Sequence, residues 1–243
     1  GLNYFDKESQ ILHHVADSST NLTANELIFK VFHDSKDRLW IGTSNKLLTF
    51  NTTTRDFERM FHADPAEAAE GVYAIIEDRS GAIWIGTEGG VKKYEDETDS
   101  FLAFTTADGL PDNHIVGMLE DPSDGDLWLC TNKGLCRFSP EVGLCKNYTT
   151  EDGLLDLGFN RNATGRSPEG ELFFGSRNGL ISFFPDHIKE NRQVGSIKFT
   201  DLKVFNEAVQ VNDESGILDR QLSDLDRIVL KHDQNFITVG FSL

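Results

Sequence analysis

The pentapeptide Leu39-Trp40-Ile41-Gly42-Thr43 recurs three times further along the chain, and its aromatic position advances by 44 or 45 residues each time. The later copies are Ile83-Trp84-Ile85-Gly86-Thr87, Leu127-Trp128-Leu129-Cys130-Thr131 and Leu172-Phe173-Phe174-Gly175-Ser176. Apolar residues at or just after a turn keep the same spacing, at Leu2, Leu47, Val91, Leu135 and Leu180. Each tryptophan copy also follows an acidic turn, which ends at Asp34, Asp78 and Asp121. Markers that stay in phase over most of the chain indicate a structural repeat.

A repeat of this length with several short strands is typical of β-propeller blades. Alternation and turn residues predict four strands per repeat, A to D. They are predicted at 28–33, 39–43, 47–50 and 57–61, then at 72–77, 83–87, 91–94 and 101–104, then at 116–120, 127–131, 135–138 and 144–148. The fourth repeat has only three, at 162–165, 172–176 and 180–184, and residues 2–15 are predicted as strands C and D of another blade. The strand-B aromatics are expected to be buried between neighbouring sheets, at Trp40, Trp84, Trp128 and Phe173.

The repeat stops near Arg192, and a second all-β unit of another kind follows. Strands are predicted at 197–205, 227–230 and 236–241. We therefore expect an all-β chain with two domains. Residues 1–190 form a partial β-propeller of four-stranded blades, and residues 191–243 form the start of an Ig-like β-sandwich. Both ends of the chain are expected to continue in a longer protein.

The chain carries a formal charge of −17 and 38% hydrophobic residues. Nucleic acids and anionic membrane surfaces are recognised by basic patches, so this balance argues against both kinds of partner. No apolar run approaches the 18 residues of a membrane span, so membrane attachment is expected only through segments outside this chain. All three cysteines fall in the third repeat, at Cys130, Cys136 and Cys145. They are interpreted as small apolar core residues, because an odd count argues against a disulfide framework.

The stretch from Val72 to Val91 resembles the two-component regulator propeller repeat. Tyr148–Leu154 followed by Phe159-Asn160 resembles the lead into the last blade of that family, and Gly170–Ile188 resembles the last blade. The tail, at Ile228–Leu230 and Asn235–Leu243, is similar to the three-tyrosine β-sandwich that follows such propellers. The tyrosines that name that sandwich do not occur in the tail of this chain.

The resemblance implies a periplasmic sensor region of a hybrid two-component system. In such proteins a membrane helix and a histidine kinase, or sometimes a diguanylate cyclase, follow the sandwich, and the ligands of the best-known members are oligosaccharides. The expected partner is therefore a small polar ligand of carbohydrate type. The resemblance is also compatible with a homodimer of the full-length sensor.

Propeller geometry predicts where such a ligand binds. The connections between strands D and A and the turns between strands B and C crowd one face around the central channel, and loops on a rigid scaffold carry specificity. Hydrogen-bond donors suited to sugar hydroxyls and carboxylates come to that face. The candidate ligand-binding residues are Asn113, His114, Lys133, Asn160, Arg161 and Arg177. The structural alternative is that Asn113 and Asn160 only cap strand A.

The sequence contains no phosphate loop, nucleophile elbow or metalloprotease motif. The paired carboxylates, such as Glu77-Asp78 and Glu120-Asp121, recur in register, which favours a structural role at the turns. We therefore predict no catalytic residues, no metal and no cofactor. Two alternatives remain open: an enzyme on a propeller scaffold, such as a polysaccharide lyase or lactonase, and a protein-interaction propeller of the WD-repeat type.

Overall fold

The computed structural model describes residues 2–15, 27–54, 56–61, 70–188, 198–222, 225 and 227–242. The chain is nearly all β, as predicted, and divides into two compact units, Gly1–Ile188 and Lys189–Leu243. The described part contains no helix with the length and apolar character needed to cross a membrane.

Three four-stranded antiparallel sheets form the middle of the first unit, and we call them blades 1 to 3. Blade 1 contains β3 (Ile28–His33), β4 (Arg38–Thr43), β5 (Leu47–Asn51) and β6 (Phe57–Phe61). Blade 2 contains β7 (Val72–Glu77), β8 (Ile83–Thr87), β9 (Val91–Glu95) and β10 (Ser100–Phe104). Blade 3 contains β11 (Ile115–Glu120), β12 (Leu127–Thr131), β13 (Gly134–Ser139) and β14 (Leu144–Tyr148). The strands predicted for these repeats are confirmed to within two residues at each end.

The two ends of this unit carry smaller sheets. An N-terminal hairpin of β1 (Leu2–Asp6) and β2 (Ile11–Val15) forms a two-stranded sheet of its own. Blade 4 has three strands among the described residues, as predicted: β15 (Phe159–Arg166), β16 (Leu172–Ser176) and β17 (Gly179–Phe183). Short 3-10 helices occupy Thr106–Asp108, Thr150–Asp152 and Pro185–His187. Among the described strands the hairpin is not paired with blade 4, so the described pairing closes no ring.

Each tryptophan of the repeat fills the space between its own blade and the next. Trp40, Trp84 and Trp128 are fully buried, as predicted. Trp40 packs with Ile75, Ile83 and Ile85 of blade 2, for example. Burying a large aromatic side chain in this way is the main contribution that holds one sheet against another.

The fourth aromatic position departs from the prediction. Phe173 pairs with Gly165 and Ser182 in the same register as the tryptophans, but it is only half-buried. No described sheet packs on its side of blade 4. Phe174, on the opposite face, is fully buried against blade 3.

The indole nitrogen of each tryptophan is bound by the acidic turn that precedes it. Nε1 donates to Oδ2 of the turn aspartate over 2.7, 2.7 and 3.1 Å, in the pairs Trp40–Asp34, Trp84–Asp78 and Trp128–Asp121. Blade 4 has Ser167 at the aspartate position, where the same turn hydrogen bond is made to Glu171. A phenylalanine has no N–H group, so no carboxylate is needed there.

The glutamate before two of these aspartates binds the previous blade. Glu77 accepts a hydrogen bond from the Ser35 backbone of blade 1 at 2.9 Å. Glu120 accepts hydrogen bonds from the backbone and from Nε of Arg79 in blade 2, both at 2.9 Å. The recurring carboxylate pairs are therefore structural, as expected: the aspartate closes its own blade and the glutamate joins two blades.

The cysteines correct one expectation. Cys130 is a buried free thiol, as predicted, but Cys136 and Cys145 form a disulfide between β13 and β14. Cys136 lies opposite Asn147, while Cys145 lies opposite Phe138, so the two cysteines are diagonal neighbours on one face. This register brings their Cα atoms to 6.0 Å, within the range of disulfides. The odd count of cysteines left this pair unforeseen.

The second unit contains one antiparallel sheet, in which β18 (Lys198–Val204) lies between β19 (Glu207–Ala208) and β20 (Ile237–Ser242). Its core is built on Leu202, Leu218 and Leu222. The first and last predicted strands are thus confirmed. The strand predicted at 227–230 is wrong, because the described residues there make no strand. The identity of this unit as the start of a sandwich stays a prediction.

Candidate functional site

A β-bulge near the start of each first strand places one or more extra residues at the centre of the blade arrangement. The first strands of blades 1 to 4 contact one another in sequence, and β15 also reaches β7. In blades 1, 2 and 3 the bulge is one residue long. The extra residue is Phe29, Tyr73 and Val116, respectively. Bulges of this kind re-aim side chains and occur often beside binding sites.

The bulge of blade 4 is longer than the others. Phe159 pairs with Ser176 and the next recorded pair is Thr164 with Phe174, so four residues of β15 lie opposite Gly175. Asn162, within this segment, adopts a left-handed backbone with φ of 55°. The sequence in the bulge is Asn160-Arg161-Asn162-Ala163, and its first three residues bring polar side chains to a position that is aromatic or apolar in the other blades.

Arg161 reaches the first strands of blades 1 and 2 from this bulge. Its guanidinium carbon lies 4.1 Å from the ring centroid of Tyr73 and 5.2 Å from that of Phe29. Asn162 Nδ2 donates a 3.0 Å hydrogen bond to the carbonyl oxygen of Phe29. A cation placed over aromatic faces is stabilised by the ring quadrupole, and Arg161 remains exposed to solvent.

His114 joins the same group from the connection that leads into blade 3. Its imidazole stacks on Tyr73 with centroids 4.9 Å apart and an interplanar angle of 9°. We call Phe29, Tyr73, His114, Arg161 and Asn162 the channel cluster. It combines two aromatic platforms with side chains that present N–H donors.

Tyr73 is the buried centre of the channel cluster, with 2% of its surface exposed. Its hydroxyl donates a hydrogen bond to Glu88 on the turn between β8 and β9. Burial, together with the hydrogen bond and the negative charge of Glu88, raises the pKa of Tyr73 to about 12, while Arg161 acts in the opposite direction. The phenol is therefore neutral at physiological pH.

The structure brings some predicted site residues together and separates others. His114 and Arg161 meet on Tyr73. Lys133 lies nearby, because its Nζ pairs at 3.2 Å with Asp112, which also accepts a hydrogen bond from the His114 backbone. The Lys133 side chain is 69% exposed, so this ion pair lies at the surface.

The other three predicted residues have local partners. Asn113 Oδ1 accepts a 2.7 Å hydrogen bond from the Thr106 backbone, and Asn160 Nδ2 donates 2.9 Å to the Ser176 carbonyl. These contacts favour the structural alternative for both asparagines. The Arg177 side chain lies over Gly158, where an added Cβ would come within 2.9 Å of Nε. The assignment of all six residues to ligand binding remains a prediction.

Sequence reasoning missed Phe29, Tyr73 and Asn162. The sequence prediction began the first strand of blade 4 at residue 162 and so placed Arg161 in a loop, whereas β15 begins at Phe159. The available signal was the alignment of the repeats, which puts Phe29 and Tyr73 at the same place in their strands. Among the described residues, no group of three or more histidine, cysteine or acidic side chains could hold a metal ion.

Comparison with protein families matches residues 67–89 to the two component regulator propeller model. This match confirms the repeat recognised in blade 2. A search of curated proteins finds no match for this chain.

Solved structures share the fold at low sequence identity. The extracellular domain of BT3049 from B. thetaiotaomicron, assigned to a hybrid two component system, matches 96% of this chain with a TM-score of 0.68 and 20% identity. The extracellular domain of BT4673 from the same organism matches 84% with a TM-score of 0.62 and 19% identity. The chain covers 31% and 28% of those two structures. A virginiamycin B lyase from Staphylococcus aureus matches 79% of this chain and 66% of its own length, with a TM-score of 0.51 and 14% identity.

Proposed function

We propose that this chain is part of the ligand-sensing region of a two-component sensor and that the channel cluster contributes to its ligand site. The ligand is a small polar molecule, of oligosaccharide type, and the full-length protein couples its binding to a kinase across a membrane. The observation that carries the proposal is the arrangement of Arg161, His114 and Tyr73, because the exposed guanidinium and the half-buried imidazole meet on one buried aromatic ring.

The chemistry of the channel cluster suits such a ligand. Small-molecule sites are usually lined by apolar and aromatic side chains together with a few well-placed polar groups. The guanidinium of Arg161 can donate several hydrogen bonds in one plane to hydroxyl or carboxylate oxygens. It is held on the rings of Tyr73 and Phe29, which reduces the conformational entropy lost when a ligand binds.

Two observations support a location outside the cytoplasm. The fold neighbours BT3049 and BT4673 are extracellular domains. The disulfide between Cys136 and Cys145 is also typical of an oxidising compartment, because cytosolic thiols are kept reduced. We propose a periplasmic location on these grounds.

Isothermal titration calorimetry of this chain tests the site. The ligands are a panel of oligosaccharides that spans neutral hexoses, pentoses and uronic acids. For a sugar that binds, Arg161→Ala is expected to weaken affinity about tenfold or more, because a hydrogen bond to a charged group contributes about 1.5–3 kcal/mol. Arg166→Ala is the matched control, since Arg166 is an exposed arginine on the same strand. Equal affinity of the wild type and Arg161→Ala would refute this site.

A further inference from the structure

Two consecutive residues of blade 4 contact one residue of blade 1. The guanidinium carbon of Arg161 lies 5.2 Å from the centroid of the Phe29 ring, and Asn162 Nδ2 donates a 3.0 Å hydrogen bond to the Phe29 carbonyl oxygen. In a regular strand successive side chains point to opposite faces, so neighbours in sequence do not reach the same residue. The bulge of β15 therefore breaks this alternation between Arg161 and Asn162.

The break coincides with an unusual backbone conformation at Asn162. Its φ of 55° lies in the left-handed region. Among the described non-glycine residues with positive φ, it is the only one inside a strand, and the others lie in turns and bends. Asparagine is one of the few residues besides glycine that adopt this conformation routinely. Non-glycine residues held in it concentrate at functional sites.

The Phe29 carbonyl oxygen is a suitable partner for the Asn162 amide. Phe29 is the extra residue of the bulge in β3, and the extra residue of a bulge is left unpaired in the strand ladder. A partly buried backbone carbonyl is normally satisfied by another donor. Asn162 supplies that donor from another blade, so the bulges of blades 1 and 4 hold each other.

The residues on either side of Arg161 and Asn162 are also held. Asn160 Nδ2 donates a 2.9 Å hydrogen bond to the Ser176 carbonyl oxygen. Ala163 packs so closely on Gly175 that a Cβ added to this glycine would come within 2.8 Å of Ala163 Cβ. The bulge is thus anchored to β16 at both ends and to blade 1 near its middle, which fixes the backbone from which Arg161 extends.

We propose that Asn162 is a positioning residue for the ligand site. Its left-handed backbone and its hydrogen bond to Phe29 direct the Arg161 side chain onto the rings of Tyr73 and Phe29. A guanidinium that is already oriented loses less conformational entropy on binding, so Asn162 contributes to affinity through Arg161. This effect on affinity rests on the proposed function, whereas the orientation of Arg161 exists without a ligand.

Asn162→Gly tests the orientation in the free protein, because glycine keeps the left-handed backbone and removes only the amide. ¹H–¹⁵N NMR spectra follow the Nε–Hε group of Arg161, which is assigned from its absence in Arg161→Ala. A proton above an aromatic ring is shifted upfield by the ring current. In Asn162→Gly this resonance should move towards the position of a freely rotating arginine, and circular dichroism checks that the variant is folded.

Asn206→Gly is the matched control. Asn206 also has a left-handed backbone, with φ of 67°, and it is exposed on a turn of the second unit. The same substitution there should leave the Arg161 resonance in place. An Arg161 resonance that stays in place in folded Asn162→Gly would overturn the proposal.

Calorimetry with the tightest-binding sugar of the panel separates positioning from a general loss of structure. Asn162→Gly should weaken affinity about twofold or more in the wild type, which is the lower limit of coupling between residues in contact. It should have no effect in the Arg161→Ala background. An unchanged affinity in the wild type, or an equal loss in both backgrounds, would count against positioning. Equal affinity of the wild type and Arg161→Ala would refute the ligand site instead, and the NMR result would then decide the orienting role by itself.

Discussion

At the scale of single residues, the tryptophan and its turn aspartate explain why each blade keeps one geometry. Asp78 accepts hydrogen bonds from the Ser80 and Ala82 backbone as well as from Trp84, so one carboxylate organises both the turn and the indole. Burial of Asp78 alone would raise its pKa, but hydrogen bonds from Ser80, Trp84 and Ala82 outweigh it and lower the pKa. Asp34 follows the same pattern through Trp40 and Arg38.

This lowered pKa predicts how stability depends on pH. A carboxylate whose pKa is lower in the folded than in the unfolded protein stabilises the fold. The stabilisation is fully present at pH values above the unfolded pKa, which is about 3.9. That contribution is lost as pH falls towards the folded pKa. The test range runs from pH 5 to pH 3, about one unit either side of the unfolded pKa. Over this range the free energy of unfolding in urea should decrease less steeply in Asp78→Asn than in the wild type. Parallel curves would contradict the role given to Asp78.

Trp84 should be among the most costly residues to truncate. Its side chain is fully buried between blades 2 and 3, and Trp84→Ala is expected to lower the free energy of unfolding by about 3–5 kcal/mol. Phe173→Ala, at the equivalent but half-buried position of blade 4, should cost clearly less. Denaturant melts of both variants provide the comparison, and equal losses would contradict the inter-blade packing described for Trp84.

At the scale of elements, the sequence predicted the strands well and the bulges poorly. Strand bounds follow from alternation and turn residues, which are local signals, so β8 and β12 were placed at their observed residues. A bulge changes how two strands pair, and a single stretch of sequence does not record that. Arg161 and His114 were therefore predicted to share one face, while the Tyr73 ring on which both lie was not predicted. The Cys136–Cys145 pair was missed for the same reason, because it depends on the register of β13 and β14.

The glycine of the repeated pentapeptide is a packing requirement between elements. A Cβ on Gly86 would come within 2.8 Å of Ile115 Cγ2 in blade 3 and 3.2 Å of Ala74 Cβ. Blade 3 accommodates Cys130 at this position because its cross-strand partner is Gly117.

Gly86→Val is expected to lower the free energy of unfolding by about 1–3 kcal/mol through overpacking. Gly165→Ala is the control, since an added Cβ there meets no atom within 4 Å. Thermal and urea melts of the two variants check this, and a Gly86→Val variant as stable as the wild type would count against the close approach of blades 2 and 3.

At the scale of the whole molecule, the repeated unit forms a stack of sheets that brings its first strands together. The sequence predicted this architecture, because four copies of one sequence pattern indicate four units with the same backbone geometry. It did not predict the channel cluster, which draws residues from four separate repeats or connections. Such a site is created by the arrangement of blades, and the spacing of Phe29, Tyr73, His114 and Arg161 along the chain carries no direct sign of it.

The central claim is that a ligand binds at the channel cluster. The most direct test follows the imidazole ¹H–¹³C resonances of this chain by NMR during a titration with an oligosaccharide that binds in calorimetry. His114 is assigned from the spectrum of His114→Gln. The account predicts that the His114 resonance moves and saturates with the calorimetric Kd, while that of His232 in the second unit stays in place. Binding that leaves the His114 resonance unchanged would contradict the account.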